Sequence, residues 1–153
     1  MAIHRFERFQ SVRADAGTCW KFFSSPANLA RLTPPDLGFE VLSEVPSEIY
    51  EGLIIAYRVR PLGGVPLTWV TEITRVRAPH YFCDEQRIGP YRLWHHEHFF
   101  TPTAQGQGLE LRDLVHYALS PLVELAHPWL VRPRLEAIFD FRRQAVAARF
   151  GEL

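Results

Sequence analysis

Six consecutive segments in the middle of the chain have the residue pattern of strands, and their order restricts the fold more than any other feature. They cover residues 39–45, 53–60, 67–76, 81–87, 91–101 and 109–119. The gaps between them contain turn residues such as Glu51-Gly52, Gly63-Gly64 and Gly89-Pro90, and they are too short for helical crossovers. The segments are therefore predicted to pair as an antiparallel meander.

A further strand and two short helices are predicted before this meander. Residues 3–12 mix apolar and polar positions in the way of a half-buried strand. Asp15 is suited to the N-cap of a short apolar helix, because its side chain accepts backbone N–H bonds. Ser25-Pro26 has the residue types that begin a second short helix, which Pro34-Pro35 would end.

One long helix is predicted after the meander. From Ser120-Pro121 to Phe150 the apolar residues fall on one side of a helical pattern. A proline fits best in a first turn, so the main helix should begin near Pro128 or Pro133. Helices in this order cannot cover both faces of a sheet. The predicted fold class is α+β, with a curved seven-stranded antiparallel sheet wrapped around the C-terminal helix.

The length and the ends of the chain suggest one domain without a membrane span. Its 153 residues are enough for a single domain, residues 1–153, and no apolar run approaches the ~20 residues of a membrane-spanning helix. The first six residues lack the apolar stretch of a secretory signal, so a cytoplasmic location is expected. Cys19 and Cys83 are too few for a disulfide framework and are expected to be reduced core residues.

Charge and ring content point to the kind of partner. Lys plus Arg and Asp plus Glu both number 17, so there is no excess positive charge to attract nucleic acid. Aromatic residues make up 13% of the chain, including four Trp and eleven Phe. Large rings line apolar pockets well. We therefore expect a small hydrophobic partner in a cavity between the sheet and the long helix. The sequence leaves the oligomeric state open and allows a homodimer.

Several motifs resemble a known superfamily over nearly the whole chain. The element order and residues 20–23, 26–29, 69–74 and 86–91 resemble the START-like, helix-grip superfamily, also called SRPBCC, and above all its small bacterial members of the polyketide cyclase/dehydratase type. The pattern is completed by Trp94, His96, His98, Phe100, Asp113 and Tyr117. The resemblance implies a hydrophobic ligand, but the superfamily contains enzymes, carriers and receptors, so it implies the fold more strongly than the function.

The resemblance also selects which face of the sheet meets the helix. Alternation alone does not decide, because both faces of residues 91–101 carry rings. The residues that the resemblance places on the helix side are Phe82, Asp84, Gln86, Trp94, His96, His98, Phe100, Asp113, Val115 and Tyr117. Under this hypothesis His96, His98 and Asp113 are candidate catalytic residues for proton transfer. The alternative, which we favour, is that they are buried polar groups that hydrogen-bond to each other.

A wider set of side chains is predicted to contact a ligand. The candidate ligand-binding residues are Trp69, Thr71, Phe82, Gln86, Trp94, His96, His98, Asp113, Tyr117, Trp129 and Phe139. Each aromatic member has an alternative fate as close-packed core. The loop of residues 61–66 is a candidate mobile lip of the cavity, or else a tight hairpin tip.

Neither a metal nor a cofactor is expected. His96 and His98 share a strand face, and a nearby carboxylate is a potential third ligand, but no cysteine and no His-Glu-x-x-His helix accompanies them. The sequence also lacks the Gly-x-Ser-x-Gly and glycine-rich nucleotide motifs, which disfavours acyl-enzyme and nucleotide chemistry. Charged residues on the long helix, such as Arg132 with Glu136 and Asp140 with Arg143, have the spacing of pairs that support a solvated helix.

Three functions remain open on the sequence. The first is a carrier or sensor of an apolar metabolite such as a lipid or an aromatic polyketide. The second is a cyclase or dehydratase in which His96, His98, Asp113 and Tyr117 move protons. The third is a structural or interaction domain whose aromatic residues pack solidly and leave no space for a ligand.

Overall fold

A computed structural model describes residues 1–61 and 64–153. Leu62 and Gly63, at the centre of the loop predicted to form a lip, lie outside the described residues. The strands are β1 (His4–Val12), β2 (Glu40–Val41), β3 (Ile54–Val59), β4 (Leu67–Arg77), β5 (Tyr81–Ile88), β6 (Leu93–Pro102) and β7 (Leu109–Ala118).

The seven strands form one antiparallel sheet in the order β1-β7-β6-β5-β4-β3-β2. Strands β2 to β7 pair with their neighbours in sequence, as the short turns require. Strand β1 forms the edge of the sheet opposite β2. It pairs with β7 along its whole length, from His4 opposite Tyr117 to Val12 opposite Leu109. The predicted α+β fold, a seven-stranded antiparallel sheet that contains a meander of six strands, is confirmed.

Three short helices connect β1 and β2, where two were predicted. Helix α1 (Ala16–Phe23) begins as expected, because Asp15 Oδ1 accepts the backbone N–H of Thr18 at 2.7 Å. The next segment, Pro26–Leu32, is a 3₁₀-helix, which Ser25 precedes without a side-chain cap. Pro35–Leu37 adds a single 3₁₀ turn at the point where the prolines were expected to end the helical region.

Strand β2 is much shorter than the predicted 39–45. The backbone N–H groups of Leu42 and Ser43 both donate to Ala56 O, at 2.8 and 3.3 Å. Two residues thus oppose one acceptor, and the regular ladder ends after Val41.

The C-terminal region contains α2 (Pro121–Leu125), a π-helical turn (His127–Val131) and the long helix α3 (Arg132–Phe150). Pro133 lies in the first turn of α3, one of the two starts that the sequence predicts. The side chains of Leu135, Phe139 and Val146 are buried on the face of α3 that meets the sheet. No helix in the described part of the chain combines the length and the apolar character needed to cross a membrane.

The alternation of β6 decides which residues face α3. Trp94, His96, His98 and Phe100 are buried, and the residues between them are more exposed. Across the ladder, His96 lies opposite Val115 and His98 opposite Asp113. This is the register that the resemblance implied. Cys19 and Cys83 are free and buried, as expected for reduced core residues.

Candidate functional site

A cavity of about 360 Å³ lies between the concave face of the sheet and α3. Its walls come from strands β3 to β6, the two 3₁₀ segments, the region around α2, and α3. Apolar side chains make up most of the lining, among them Leu32, Ile55, Ile73, Leu135 and Ile138. Small-molecule sites in proteins have this combination of concavity and apolar lining, with few polar groups.

One side of the cavity is a wall of contacting rings. The ring of Trp69 stacks on Tyr57, with centroids 6.0 Å apart, and meets Trp94 edge-on at 5.4 Å. Tyr91 lies 4.8 Å from Trp94 and 5.6 Å from Trp69. Burial raises the pKa values of both Tyr57 and Tyr91, so both hydroxyls stay protonated at neutral pH.

Five ionisable side chains from four elements form one polar cluster, four of them in the cavity lining and Asp113 directly behind it. Strand β5 contributes Asp84, β6 contributes His96 and His98, β7 contributes Asp113, and α3 contributes Arg142. His98 lies between the carboxylates, with Nε2 2.6 Å from Asp84 Oδ2 and Nδ1 3.2 Å from Asp113 Oδ1. His96 Nε2 is 2.9 Å from Asp113 Oδ1. Arg142 donates to both oxygens of Asp113, at 3.3 and 3.2 Å.

These contacts give the two imidazoles different charge states. Coulombic attraction by Arg142 and bonds from the histidines hold the pKa of Asp113 well below its usual range, despite burial. Burial and the neighbouring charge of His98 lower the pKa of His96. The two carboxylates outweigh burial at His98 and raise its pKa. The cluster therefore favours the protonated form of His98 and the neutral form of His96 around the ordinary histidine pKa.

In the described part of the chain, two groups of side chains bring potential metal ligands within 4.8 Å of one another: Asp84 with His96 and His98, and His4 with Glu124 and His127. The rings of His4 and His127 stack with centroids 3.9 Å apart, and those of His96 and His98 lie 3.7 Å apart with planes tilted by 33°. Both nitrogens of His98 contact carboxylates, and His4 Nε2 contacts Glu124 Oε1 at 2.7 Å. These contacts account for both groups as hydrogen-bonded clusters.

Seven of the eleven candidate ligand-binding residues line the cavity: Trp69, Thr71, Phe82, Trp94, His96, His98 and Phe139. The ring of Phe82 stacks on His98 at 3.9 Å, and Phe139 meets His96 at 5.7 Å. The structure thus brings most of the predicted set to one surface.

Four candidates lie outside the cavity lining. Asp113 is behind the histidines, where Arg142 covers it, and Gln86 bonds to the backbone of Tyr91. Tyr117 is fully buried, and its hydroxyl forms a hydrogen bond with His127 Nε2 at 2.7 Å. Trp129 is 80% exposed, because the π-helical turn directs it into solvent.

Sequence reasoning missed two members of the polar cluster as functional candidates. Asp84 was placed on the correct face but was not counted among the site residues. Arg142 was treated as part of the charged outer face of the helix, yet only 14% of its side chain is exposed. Helical spacing was the signal for Arg142, since it follows the buried Leu135 by seven residues and the buried Phe139 by three, which places all three on one face.

An ion pair spans the rim of the cavity. Arg134 of α3, which lines the cavity, contacts Asp36 Oδ2 at 2.9 Å. Asp36 belongs to the 3₁₀ turn Pro35–Leu37, so the pair joins the long helix to the segment that precedes β2.

Comparison with known proteins identifies the fold. No protein-family model matches the sequence, and no curated protein is significantly similar to it. Among solved structures, protein CV1439 from Chromobacterium violaceum superposes with a TM-score of 0.70 at 13% identity, covering 97% of this chain and 98% of that chain. Protein Ms6760 from Mycobacterium smegmatis gives a TM-score of 0.66 at 17% identity, covering 95% and 92%.

A plant enzyme is a further structural neighbour. Norcoclaurine synthase from Thalictrum flavum, in complex with dopamine and hydroxybenzaldehyde, superposes with a TM-score of 0.66 at 18% identity, covering 96% of this chain and 88% of that chain. These similarities extend over the whole fold. They show that this chain shares its fold, a curved antiparallel sheet around a long C-terminal helix, with these proteins.

Proposed function

We propose that the protein binds a small hydrophobic ligand, such as a lipid or an aromatic or polyketide-like molecule, as a carrier or sensor. The observation that carries this proposal is the cavity of about 360 Å³ between the sheet and α3, with its mainly apolar lining and its wall of rings. Ligand pockets usually measure roughly 300–1,000 Å³ and combine apolar walls with a few polar groups. The third hypothesis, a structural or interaction domain without a ligand, requires aromatic side chains to fill this space.

The structural comparisons support the proposed class of ligand. The norcoclaurine synthase structure contains dopamine and hydroxybenzaldehyde, so one neighbour with this fold accommodates small aromatic molecules. A shared fold at this level of identity does not transfer a substrate. It supports the class of ligand, which the ring content of this cavity supports independently.

The proposal is tested by native mass spectrometry of the full chain, first as purified and then with added 2-methoxynaphthalene as an apolar probe. We expect a retained ligand or a one-to-one complex with the probe. The side chain of Ile55 lines the cavity, whereas its neighbour Ile54 is 48% exposed on the other face of β3. Ile55→Trp should fill the cavity and abolish binding, and Ile54→Trp should bind normally. Equal binding by the two variants, or no complex with wild-type protein, would contradict the proposal.

A second candidate function is a cyclase or dehydratase that moves protons within the cavity. The observation that favours it is a pair of contacting imidazoles in the cavity lining, each bonded to a carboxylate. Their surroundings lower the pKa of His96 and raise that of His98, which suits a proton acceptor next to a proton donor. In this proposal Asp113 is a positioning residue, because it contacts both rings from behind the cavity wall. Tyr117 has no role, because it does not line the cavity.

The enzymatic alternative is tested with poly-β-carbonyl substrates of aromatic polyketide type. His96→Ala should lower turnover by roughly 100-fold or more, the usual contribution of a general acid or base. The matched control is His95→Ala, since His95 lies on the opposite face of β6 and does not line the cavity. Turnover that is unchanged by His96→Ala would exclude this mechanism.

A further inference from the structure

The polar cluster contains two hydrogen-bond acceptors that face each other. Asp113 is ionised, so the proton in its bond with His96 belongs to Nε2 of the ring. A neutral His96 then has an unprotonated Nδ1, which lies 3.7 Å from Asp84 Oδ2. Within residues 1–61 and 64–153, no side chain or backbone group donates to this Nδ1. The distance of 3.7 Å is too long for a hydrogen bond, so Nδ1 is left to a donor from the cavity, which His96 lines.

The charges around this position disfavour an ionic ligand. With His98 protonated, the carboxylates of Asp84 and Asp113 are balanced by His98 and Arg142, which contact them, so the cluster is neutral as a whole. A ligand carboxylate beside Asp84 would add a second anion next to a buried one, and an ammonium would leave an unbalanced cation. Burying an unpaired charge is far more costly than burying a hydrogen-bonded neutral group.

The rings around His96 favour a flat ligand. Trp94 stands perpendicular to His96, with centroids 6.1 Å apart, and Phe139 of α3 meets the ring at 5.7 Å. Trp69 and Tyr91 continue this surface along the cavity. Aromatic surfaces pack favourably against other rings in offset or edge-to-face contact.

We propose that the ligand is an uncharged aromatic molecule whose hydroxyl group, of the phenol type, donates to His96 Nδ1 beside Asp84. This inference rests on the proposed ligand-binding function and specifies its chemistry. The aromatic body occupies the apolar part of the cavity, and the hydroxyl reaches His96 Nδ1, to which the described residues supply no donor. Methylation of the hydroxyl removes the donated proton and leaves the apolar contacts in place.

Three probes of one shape test the inference: 2-naphthol, 2-methoxynaphthalene and 2-naphthoate, titrated against the full chain by calorimetry at neutral pH. We expect 2-naphthol to bind roughly threefold to tenfold more tightly than the methyl ether, the range of one net hydrogen bond. The anionic 2-naphthoate should bind most weakly. If the ether binds as tightly as 2-naphthol, or the naphthoate binds best, the inference is wrong while the proposed function stands. If no probe binds, both are wrong.

A pair of neighbouring variants assigns the preference to one ring. His96→Phe should still bind 2-methoxynaphthalene, which shows that the cavity is intact, but should lose the preference for 2-naphthol. His95→Phe changes the same residue type on the outer face of β6 and should keep the preference. A preference that persists in His96→Phe would overturn the inference.

A measurement on the wild-type protein does not depend on the folding of any variant. The ¹⁵N chemical shift of His96 Nδ1 should change when 2-naphthol binds and should change much less with 2-methoxynaphthalene. Equal shifts with both probes would also overturn the inference, because they would show that the hydroxyl does not contact this nitrogen.

Discussion

His96 and His98 are two residues apart on one strand face, yet their surroundings separate their protonation states. Both nitrogens of His98 lie close to carboxylates, whereas His96 makes one short contact, to Asp113. Burial disfavours the charged form of both rings, and only His98 has enough opposite charge nearby to overcome it. Two neighbouring histidines thus have pKa values shifted in opposite directions.

This difference predicts a specific NMR result. At a pH close to the ordinary histidine pKa of 6.5, the ring ¹⁵N shifts should show His98 doubly protonated and His96 neutral with its proton on Nε2. A raised folded-state pKa at His98 stabilises the fold fully below 6.5, and this stabilisation is lost as the pH rises through the folded-state pKa. Titration of both rings together at the ordinary pKa would contradict this account of the cluster.

Arg142 balances the buried carboxylate of Asp113, and its removal should be costly. Arg142→Met leaves Asp113 with one cationic partner fewer, so we expect the free energy of unfolding to fall by about 3–5 kcal/mol in urea denaturation. Arg143→Met is the matched control, because half of the Arg143 side chain is exposed and its loss should cost about 1 kcal/mol or less. Similar losses of unfolding free energy in the two variants would show that Asp113 does not depend on Arg142 to balance its charge.

At the scale of single residues, the sequence predicted which sheet face a residue occupies better than it predicted which side chains that residue contacts. Alternation in β6, once the resemblance chose its face, placed Trp94, His96 and His98 correctly. It did not indicate that Arg142 would reach across from α3, because an arginine among other charged residues of a helix has the pattern of a solvated face. Trp129 was misplaced for a backbone reason, since the π-helical turn changes the direction of the residues that follow Pro128.

At the scale of elements, α3 is held by a few large contacts. Phe139 packs against Phe6 of β1 with ring centroids 4.9 Å apart and also meets His96. Phe139→Ala should lower the free energy of unfolding by about 3–5 kcal/mol, measured by denaturant titration. Asp140→Ala, at the next and mostly exposed position, should change it by no more than about 0.5 kcal/mol. A small effect of Phe139→Ala would mean that α3 is anchored elsewhere.

The elements themselves were predictable where local signals agree. The Asp15 cap, Pro133 in the first turn of α3 and the short turns of the meander follow from backbone chemistry that acts within a few residues. Strand β2 was predicted too long, because its end depends on how Leu42 and Ser43 meet the carbonyl of Ala56 in another strand. A contact between residues of different strands is not indicated by the residue pattern of either strand alone.

At the scale of the whole molecule, the order of elements determined the architecture. One strand, short helices, six strands and a long helix leave only one helix to cover the concave face of the sheet. The existence of a space between them follows from that arrangement. Its volume and shape do not, because they depend on sheet curvature and on how far α3 lies from β6, which the sequence does not state.

The central claim is that an apolar ligand occupies the space between the sheet and α3. Intermolecular nuclear Overhauser effects between 2-methoxynaphthalene and the methyl groups of the full-length protein test it most directly. The account predicts contacts with Ile55, Leu135 and Ile138, which line the cavity, and none with Ile54 on the opposite face of β3. Contacts confined to exposed apolar residues such as Ile54 or Leu122 would contradict it.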